Sequence, residues 1–242
     1  VQDLIEQVRS VTSQDHSYPL FSDPTFVSAI AMALWRADEL GMPQLALTLT
    51  DSITHASDIL GSEHPHVLTA RNNLAESYRA SGSLDKAIEL HQQVLEIRSH
   101  ILGPDHLHVL TSRNNLASAY QAAGQLDQAI ALYESTLNAQ LHTLGPNHPH
   151  TLITRINIAS TYQAAGQLDE AVKLHEQNLA DSIRILGLRH PYTLNSCDNL
   201  AYAYQDAGRL AEAISLFEQN LEDRTRTLGL DHPETLASRH SL

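Results

Sequence analysis

Apolar positions in this chain recur at helical spacing within short segments, and the segments themselves recur every 42 residues. Between positions 62 and 103, Leu68, Leu74, Ala75 and Tyr78 mark one amphipathic stretch. Leu84, Ala87, Ile88, Leu90, Val94, Leu95 and Ile97 mark a second. His64-Pro65 opens the first, because proline suits the first helical position, where an N–H would go unbonded anyway. Gly82 closes it, since glycine accepts the left-handed backbone that follows a helix end. The second helix starts near Leu84 or Asp85 and runs to about Leu102, where Gly103-Pro104 breaks it. The predicted unit is helix, short turn, longer helix, short loop.

The same landmarks return down the chain. Leu60-Gly61, Leu102-Gly103, Leu144-Gly145, Leu186-Gly187 and Leu228-Gly229 are evenly spaced, as are His64, His106, His148, His190 and His232. Tyr78 recurs as Tyr120, Tyr162 and Tyr204, Gly82 as Gly124, Gly166 and Gly208, and Ala87 as Ala129, Ala171 and Ala213. A small residue at the last of these positions lets two helices approach closely, and the tyrosine fills the gap between them. Units of this kind bury their apolar faces against their neighbours and stack as a solenoid.

The expected organisation follows from the register. Regular copies occupy 62–103, 104–145, 146–187 and 188–229, and 230–242 begins a truncated further copy. Residues 22–61 form a degenerate capping copy one residue short, with Pro24 for Pro65, Gly41 for Gly82, Ala46 for Ala87 and Leu49 for Leu90. Met32 and Trp35 replace polar positions there, either because a capping unit needs a different face or because they meet a preceding domain. Residues 1–21, with Leu4, Val8 and Val11 at helical spacing, form a helical leader or the remnant of a preceding unit. The chain starts at Val1 and ends inside a copy, so it is read as part of a larger polypeptide.

Length alone would allow one or two domains in 242 residues, but the repeat makes a single stack of them. A net charge of −13 without a basic stripe argues against nucleic acid as a partner. No run of about 18 apolar residues crosses a membrane, and no signal peptide is visible. The single cysteine, Cys197, excludes an internal disulfide framework and fits a reducing, cytoplasmic compartment.

Catalytic and metal chemistry find little support. Of 15 histidines, five fall one per repeat. Stacked copies hold these about 10 Å apart, whereas zinc ligands converge to about 2.1 Å from one ion. The pairs His64/His66, His106/His108 and His148/His150 suit loop capping better. Ser196-Cys197-Asp198 has no histidine placed to activate a nucleophile. Phosphate-loop and dinucleotide motifs are absent. The expectation is no enzyme, no metal and no cofactor.

Ala75, Tyr78, Gly82 and Ala87 fall where the tetratricopeptide repeat has its small residue, aromatic, glycine and alanine. The string LGPDHLHVLTSRNNLASAY at 102–120 resembles the kinesin-light-chain subtype, which is common in the C-terminal arms of STAND-class signalling ATPases. The resemblance covers about residues 22–242. It implies an all-α, right-handed superhelical α-solenoid of antiparallel helix pairs, with first helices lining a concave groove. Carried across, the groove positions are Thr69, Asn72, Asn73, Glu76 and Arg79, then Thr111, Asn114, Asn115, Ser118 and Gln121. Ile156, Asn157, Ser160 and Gln163 follow, and Asn195, Asp198, Asn199, Tyr202 and Gln205 complete the series.

Asn73, Asn115, Asn157 and Asn199 hold one position in four successive copies. Asparagine is a poor helix former, so a mid-helix register of it needs a cause. Its amide both donates and accepts, matching a peptide backbone. With helices about 8–10 Å apart and an extended chain advancing about 3.3 Å per residue, one rung meets every third peptide residue. The alternative is that each amide bonds a neighbouring helix and fixes the stacking; the two roles can coexist. Asn72 and Asn114 give way in register to Ile156 and Asp198, so the groove changes character along its length. Arg71, Arg113, Arg155 and Arg239 share another position, with Cys197 among them. They supply charge at the groove edge or, the favoured reading, pack their stems on the adjacent repeat and bond a carbonyl there. The expected function is a scaffold binding an extended peptide of a protein partner, or the sensor or autoinhibitory arm of a STAND-type ATPase. A spacer without a ligand is disfavoured by the asparagine register.

Overall fold

A computed structural model describes Ile5, Glu6, Val8, Ser10 and residues 18–240; the helix expected over Leu4, Val8 and Val11 lies largely outside them. The described residues from 18 onward form thirteen helices. The degenerate copy holds α1 (Tyr18–Phe21), α2 (Pro24–Glu39), α3 (Pro43–Leu47) and α4 (Thr50–Leu60). The regular copies pair α5 (Pro65–Ala80) with α6 (Leu84–Leu102), α7 (Leu107–Ala122) with α8 (Leu126–Thr143), α9 (Pro149–Ala164) with α10 (Leu168–Leu186), and α11 (Pro191–Asp206) with α12 (Leu210–Leu228). The helix α13 (Pro233–His240) opens the next copy. The described residues form two compact units, unit 1 up to Ala129 and unit 2 from Ile130.

The helix boundaries follow local chemistry. In the four regular copies and the one that follows, a histidine caps the first helix: Nδ1 of His64, His106, His148, His190 and His232 accepts the backbone N–H two residues on, at 3.1 to 3.3 Å. The cap satisfies one of the donors that a helix start leaves unbonded. The turn glycine Gly82 sits at φ 82°, a left-handed conformation that a side chain would strain. Ala87, at the close helix approach, is fully buried.

In unit 1, α2 packs on α5, α5 on α6 and α6 on α7. Val27, Ile30, Leu34, Ile53, Val67 and Leu74 belong to its core. The second helix of the degenerate copy is broken into α3 and α4. Ala46 aligns with Ala87 at a spacing of 41 but Gly61 with Gly103 at 42, so the missing residue falls between them. At the break the backbone tightens: the Thr48 and Leu49 N–H groups donate three residues back, to Leu45 and Ala46. The Thr48 and Thr50 hydroxyls reinforce the bend by donating to the Leu45 and Leu47 carbonyls.

In unit 2, α9 through α13 pack in chain order. Val172, Leu200 and Ala203 form one buried group, and Ala201, Ala213 and Phe217 another. The tyrosine expected to fill a gap also ties copies together in both units. Gln92 Nε2 donates to the Tyr120 hydroxyl at 2.8 Å in unit 1, and in unit 2 Tyr162 donates to Glu134 and Tyr204 to Glu176 at 2.8 Å. Burial and the acceptor carboxylate push the Tyr162 and Tyr204 hydroxyls up to about 12.

Candidate functional site

The first helices α5 and α7 of unit 1 carry the expected groove positions, and Asn72, Asn73, Glu76, Arg79 and Asn115 among them are engaged within the fold. Asn73 Nδ2 donates to the Ala31 carbonyl of α2 at 2.8 Å, and Asn115 Nδ2 donates to Asn72 Oδ1 at 3.0 Å. Ala31 and Asn72 occupy equivalent positions, so two rungs of the ladder use the same point on the preceding helix. One takes the backbone because alanine has no acceptor; the other takes the side chain. Asn114 is buried in α7, whereas Ser118 and Gln121 are half-buried.

Glu76 is held still more firmly. Arg79 Nε donates to its Oε2 at 2.8 Å, and Nε2 of the fully buried His91, from α6, lies 3.0 Å from Oε1. Burial alone would raise the Glu76 carboxyl, but His91 and Arg79 together hold it below the usual range. The positions aligned with Asn73 and Glu76 in the degenerate copy are Met32 and Trp35, both exposed, with the Arg36 guanidinium 5.6 Å from the indole ring.

Unit 2 differs at the same register. Between α9 and α11 lies a cleft of about 480 Å³ lined by Ile156, Tyr192, Asn195, Asp198, Asn199 and Tyr202. Here Asn199 stands as Asn115 does in unit 1, and Ile156 stands where Asn72 accepted. Isoleucine offers no side-chain acceptor, and it is branched where Ala31 has only a methyl. No hydrogen bond from the half-buried Asn199 side chain is found among the described residues. Its amide therefore borders the cleft with donor and acceptor unspent. Tyr202, 44% exposed, forms one wall and is braced edge-on by Phe217 at 5.0 Å between ring centroids. Ile153, one turn before Ile156 on α9, is also exposed.

The remaining predicted positions of unit 2 are mixed. Asn157 and Ser160 are half-buried, Gln163 donates to Asp206 of α11, and Gln205 is exposed. Asp198 turns inward: its carboxylate meets Arg224 at 2.6 Å and accepts from Asn220. Burial still pushes the Asp198 carboxyl up.

At the shared arginine register, Arg71 and Arg155 are engaged within their own copies. Arg71 donates to the Gln93 side chain, and the buried Arg155 to Asp181 at 2.6 Å. Their partners are side chains of the second helix in the same copy, where carbonyls were expected. Cys197, in the same register, has its thiol pushed up to about 11, first by burial and then by Asp198 and Asp223. A thiol so protonated is a poor nucleophile. Among the described residues no group of histidine, cysteine and carboxylate side chains converges as a metal site. No described helix is long and apolar enough to cross a membrane.

Two features escaped sequence reasoning. One is the ring series His91, Tyr133, His175 and Phe217, which is buried in the second helices at one register. Its signal was visible as aromatic or histidine at a fixed 42-residue spacing. The other is the series Arg98, Gln140, Ser182 and Arg224, where charged and polar residues on an apolar face gave the only hint.

Comparison with known proteins agrees with this architecture. The family model described as "Tetratricopeptide repeat" matches residues 29–99, 66–142, 114–180, 151–219 and 191–242. A search of curated proteins finds none that matches significantly. Among solved structures, one from Podosopora anserina, described as kinesin light chain nearly identical TPR-like repeats, is 36% identical with a TM-score of 0.74. The match covers 85% of this chain and 98% of that one. BtubC (BKLC) from P. vanneervenii is 21% identical with a TM-score of 0.73, covering 95% of this chain and 94% of that one. A STAND protein with a tetratricopeptide repeat sensor from Pyrococcus horikoshii shares the fold at 13% identity and a TM-score of 0.67. There the match spans 89% of this chain and 32% of that one.

Proposed function

This chain belongs to the tetratricopeptide repeat family, and we propose that it works as a non-catalytic protein–protein interaction scaffold that holds an extended peptide segment of a partner against its first helices. The observation that carries the reading is the unspent Asn199 amide beside Ile156 and Tyr202 in the unit 2 cleft. An amide with donor and acceptor free matches the paired groups of an extended peptide backbone. Ile156 and Tyr202 add apolar surface for a side chain of that peptide. Neutral hydrogen bonds contribute only about 0.5–1.5 kcal/mol each, so a single cleft of this kind binds in about the micromolar range. The further groove positions in this reading are Asn72, Asn73, Glu76, Arg79, Asn114, Asn115, Ser118 and Gln121 in unit 1. Asn157, Ser160, Gln163 and Gln205 continue them in unit 2. Those engaged in stacking shape the wall more than they grip the peptide.

The test is selection from a displayed library of random extended peptides against the chain and against Asn199→Ala and Tyr202→Ala. The expected result is a recurring motif retained by the chain and lost from both variants with their helical content unchanged. A motif that both variants keep would remove the cleft from the reading.

A second reading, the sensor or autoinhibitory arm of a larger STAND-type ATPase, draws on the exposed Met32 and Trp35 at groove positions of the first copy. Buried in an adjoining domain, they would lose that exposure. Sequencing upstream of residue 1 for a G-x-x-x-x-G-K-[ST] loop tests it, and a reading frame without that loop argues against it.

A further inference from the structure

Arg98 and Arg224 hold the same register, 126 residues apart, near the ends of α6 and α12. Both are buried, at 8% and 4% exposure, and both donate to a serine of the following first helix at 2.8 Å, Ser112 and Ser238. Arg224 is then answered by a carboxylate, Asp198 at 2.6 Å, and by Asn195 Oδ1 at 2.8 Å. In the copy that holds Arg98 the equivalent positions are Asn72 and Thr69. Asn72 is neutral, and its oxygen is already taken by Asn115. No carboxylate lies within ion-pair distance of Arg98 among the described residues.

A buried guanidinium without a counter-charge is costly, and native proteins pair such groups. Burial here lowers the Arg98 pKa, which marks the same deficit. The side chain is not sealed off. It lines a cleft of about 310 Å³ in unit 1, with Leu68, Ile101, Leu102, His106 and His108 around it and the exposed Glu63 at its rim. Leu68, Ile101 and Leu102 beside one buried cation suit a short aliphatic chain ending in an acid. The guanidinium fork matches a carboxylate with two parallel hydrogen bonds.

We propose that the Arg98 cleft of unit 1 binds an aliphatic carboxylate, which supplies to Arg98 the counter-charge that Asp198 supplies to Arg224. The ligand is a free small acid or the C-terminal carboxylate of a peptide. This site stands independently of the Asn199 cleft, which lies in the other unit.

The test is thermal unfolding of the full chain at fixed ionic strength with chloride replaced stepwise by butyrate. A ligand that binds only the folded state raises Tm saturably. The expected result is such a rise, absent from Arg98→Gln. It is also absent from Asn72→Asp, which builds the missing carboxylate in place and raises Tm without ligand. Should Arg98→Gln fail to fold, Asn72→Asp still decides. A second arm compares acetyl-Ala-Val with its C-terminal amide. The acid acting at lower concentration than butyrate assigns the ligand to a peptide terminus; butyrate acting at lower or equal concentration assigns it to a free acid. An unsaturable shift, a butyrate response unchanged in Asn72→Asp, or an amide as effective as the acid would overturn the proposal.

Discussion

The two units carry the same helix pair and spend their polar side chains differently. In unit 1 Asn115 finds Asn72, Asn73 finds Ala31, and Glu76 is shared between Arg79 and His91. In unit 2 the residue facing Asn199 is Ile156, and the buried His175 finds no partner for Nε2 among the described residues. The charge deficit runs the other way: Arg224 of unit 2 has Asp198, while among the described residues Arg98 of unit 1 has only Ser112. A repeat backbone therefore fixes where side chains stand, and single substitutions decide whether a given position is satisfied within the fold or left for a partner.

The buried arginines break this comparison most sharply. Arg224→Met orphans the Asp198 carboxylate and is expected to cost about 3 kcal/mol, the penalty of an unpaired buried charge. Arg98→Gln orphans no carboxylate and is expected to cost under about 1 kcal/mol. Urea unfolding followed by helix signal measures both, and equal losses would show that the two registers are not distinct.

The buried histidines come next. Burial holds His175 down at about 4, against about 6.5 in an unfolded chain. Below pH 6.5 the unfolded chain takes a proton that the folded one refuses. His175 therefore destabilises the fold progressively as pH falls from about 6.5 to about 4, by on the order of 2–3 kcal/mol. His175→Phe, the residue found in register at Phe217, removes that loss. Glu76 acts in a lower window: its stabilisation is present above the unfolded carboxyl value and is lost as pH falls through its depressed folded value. A pH series on the chain and on His175→Phe separates the two, and superimposable curves would sink the assignment to His175.

The asparagine rungs give the smallest effect and the sharpest test of function. Asn115→Ala removes a made hydrogen bond and is expected to cost about 1 kcal/mol, whereas Asn199→Ala is expected to cost under about 0.5 kcal/mol. Ile156→Asn offers Asn199 the acceptor that Asn72 offers Asn115. It should recover up to about 1 kcal/mol while weakening peptide capture, a gain in stability taken from a binding site. Stronger capture by Ile156→Asn would show that the open amide is not what the partner meets.

The expected helix pairs were legible because each boundary has a local cause. Pro65 starts α5, and Gly82 accepts the left-handed turn after it. The capping role of the histidines was legible for the same reason, since His64 reaches only two residues along the chain. The Asn73 ladder was visible as a register, but its division into bonded and free rungs was not. That division depends on which side chain a neighbouring helix presents, 43 residues away for the Asn115–Asn72 bond.

What the sequence determined by itself is therefore the repeat: its period, its two helices, its turns and the family they make, all set by steric and hydrogen-bonding preferences acting over a few residues. Tertiary structure decided which polar groups are left over. Arg98 and Arg224 read alike in the sequence, and only packing reveals that Asp198 lies 2.6 Å from one while the other has no carboxylate within ion-pair distance among the described residues. The physical reason is that satisfaction of a buried charge or amide is a property of a pair, and the pair exists only once distant helices are brought together.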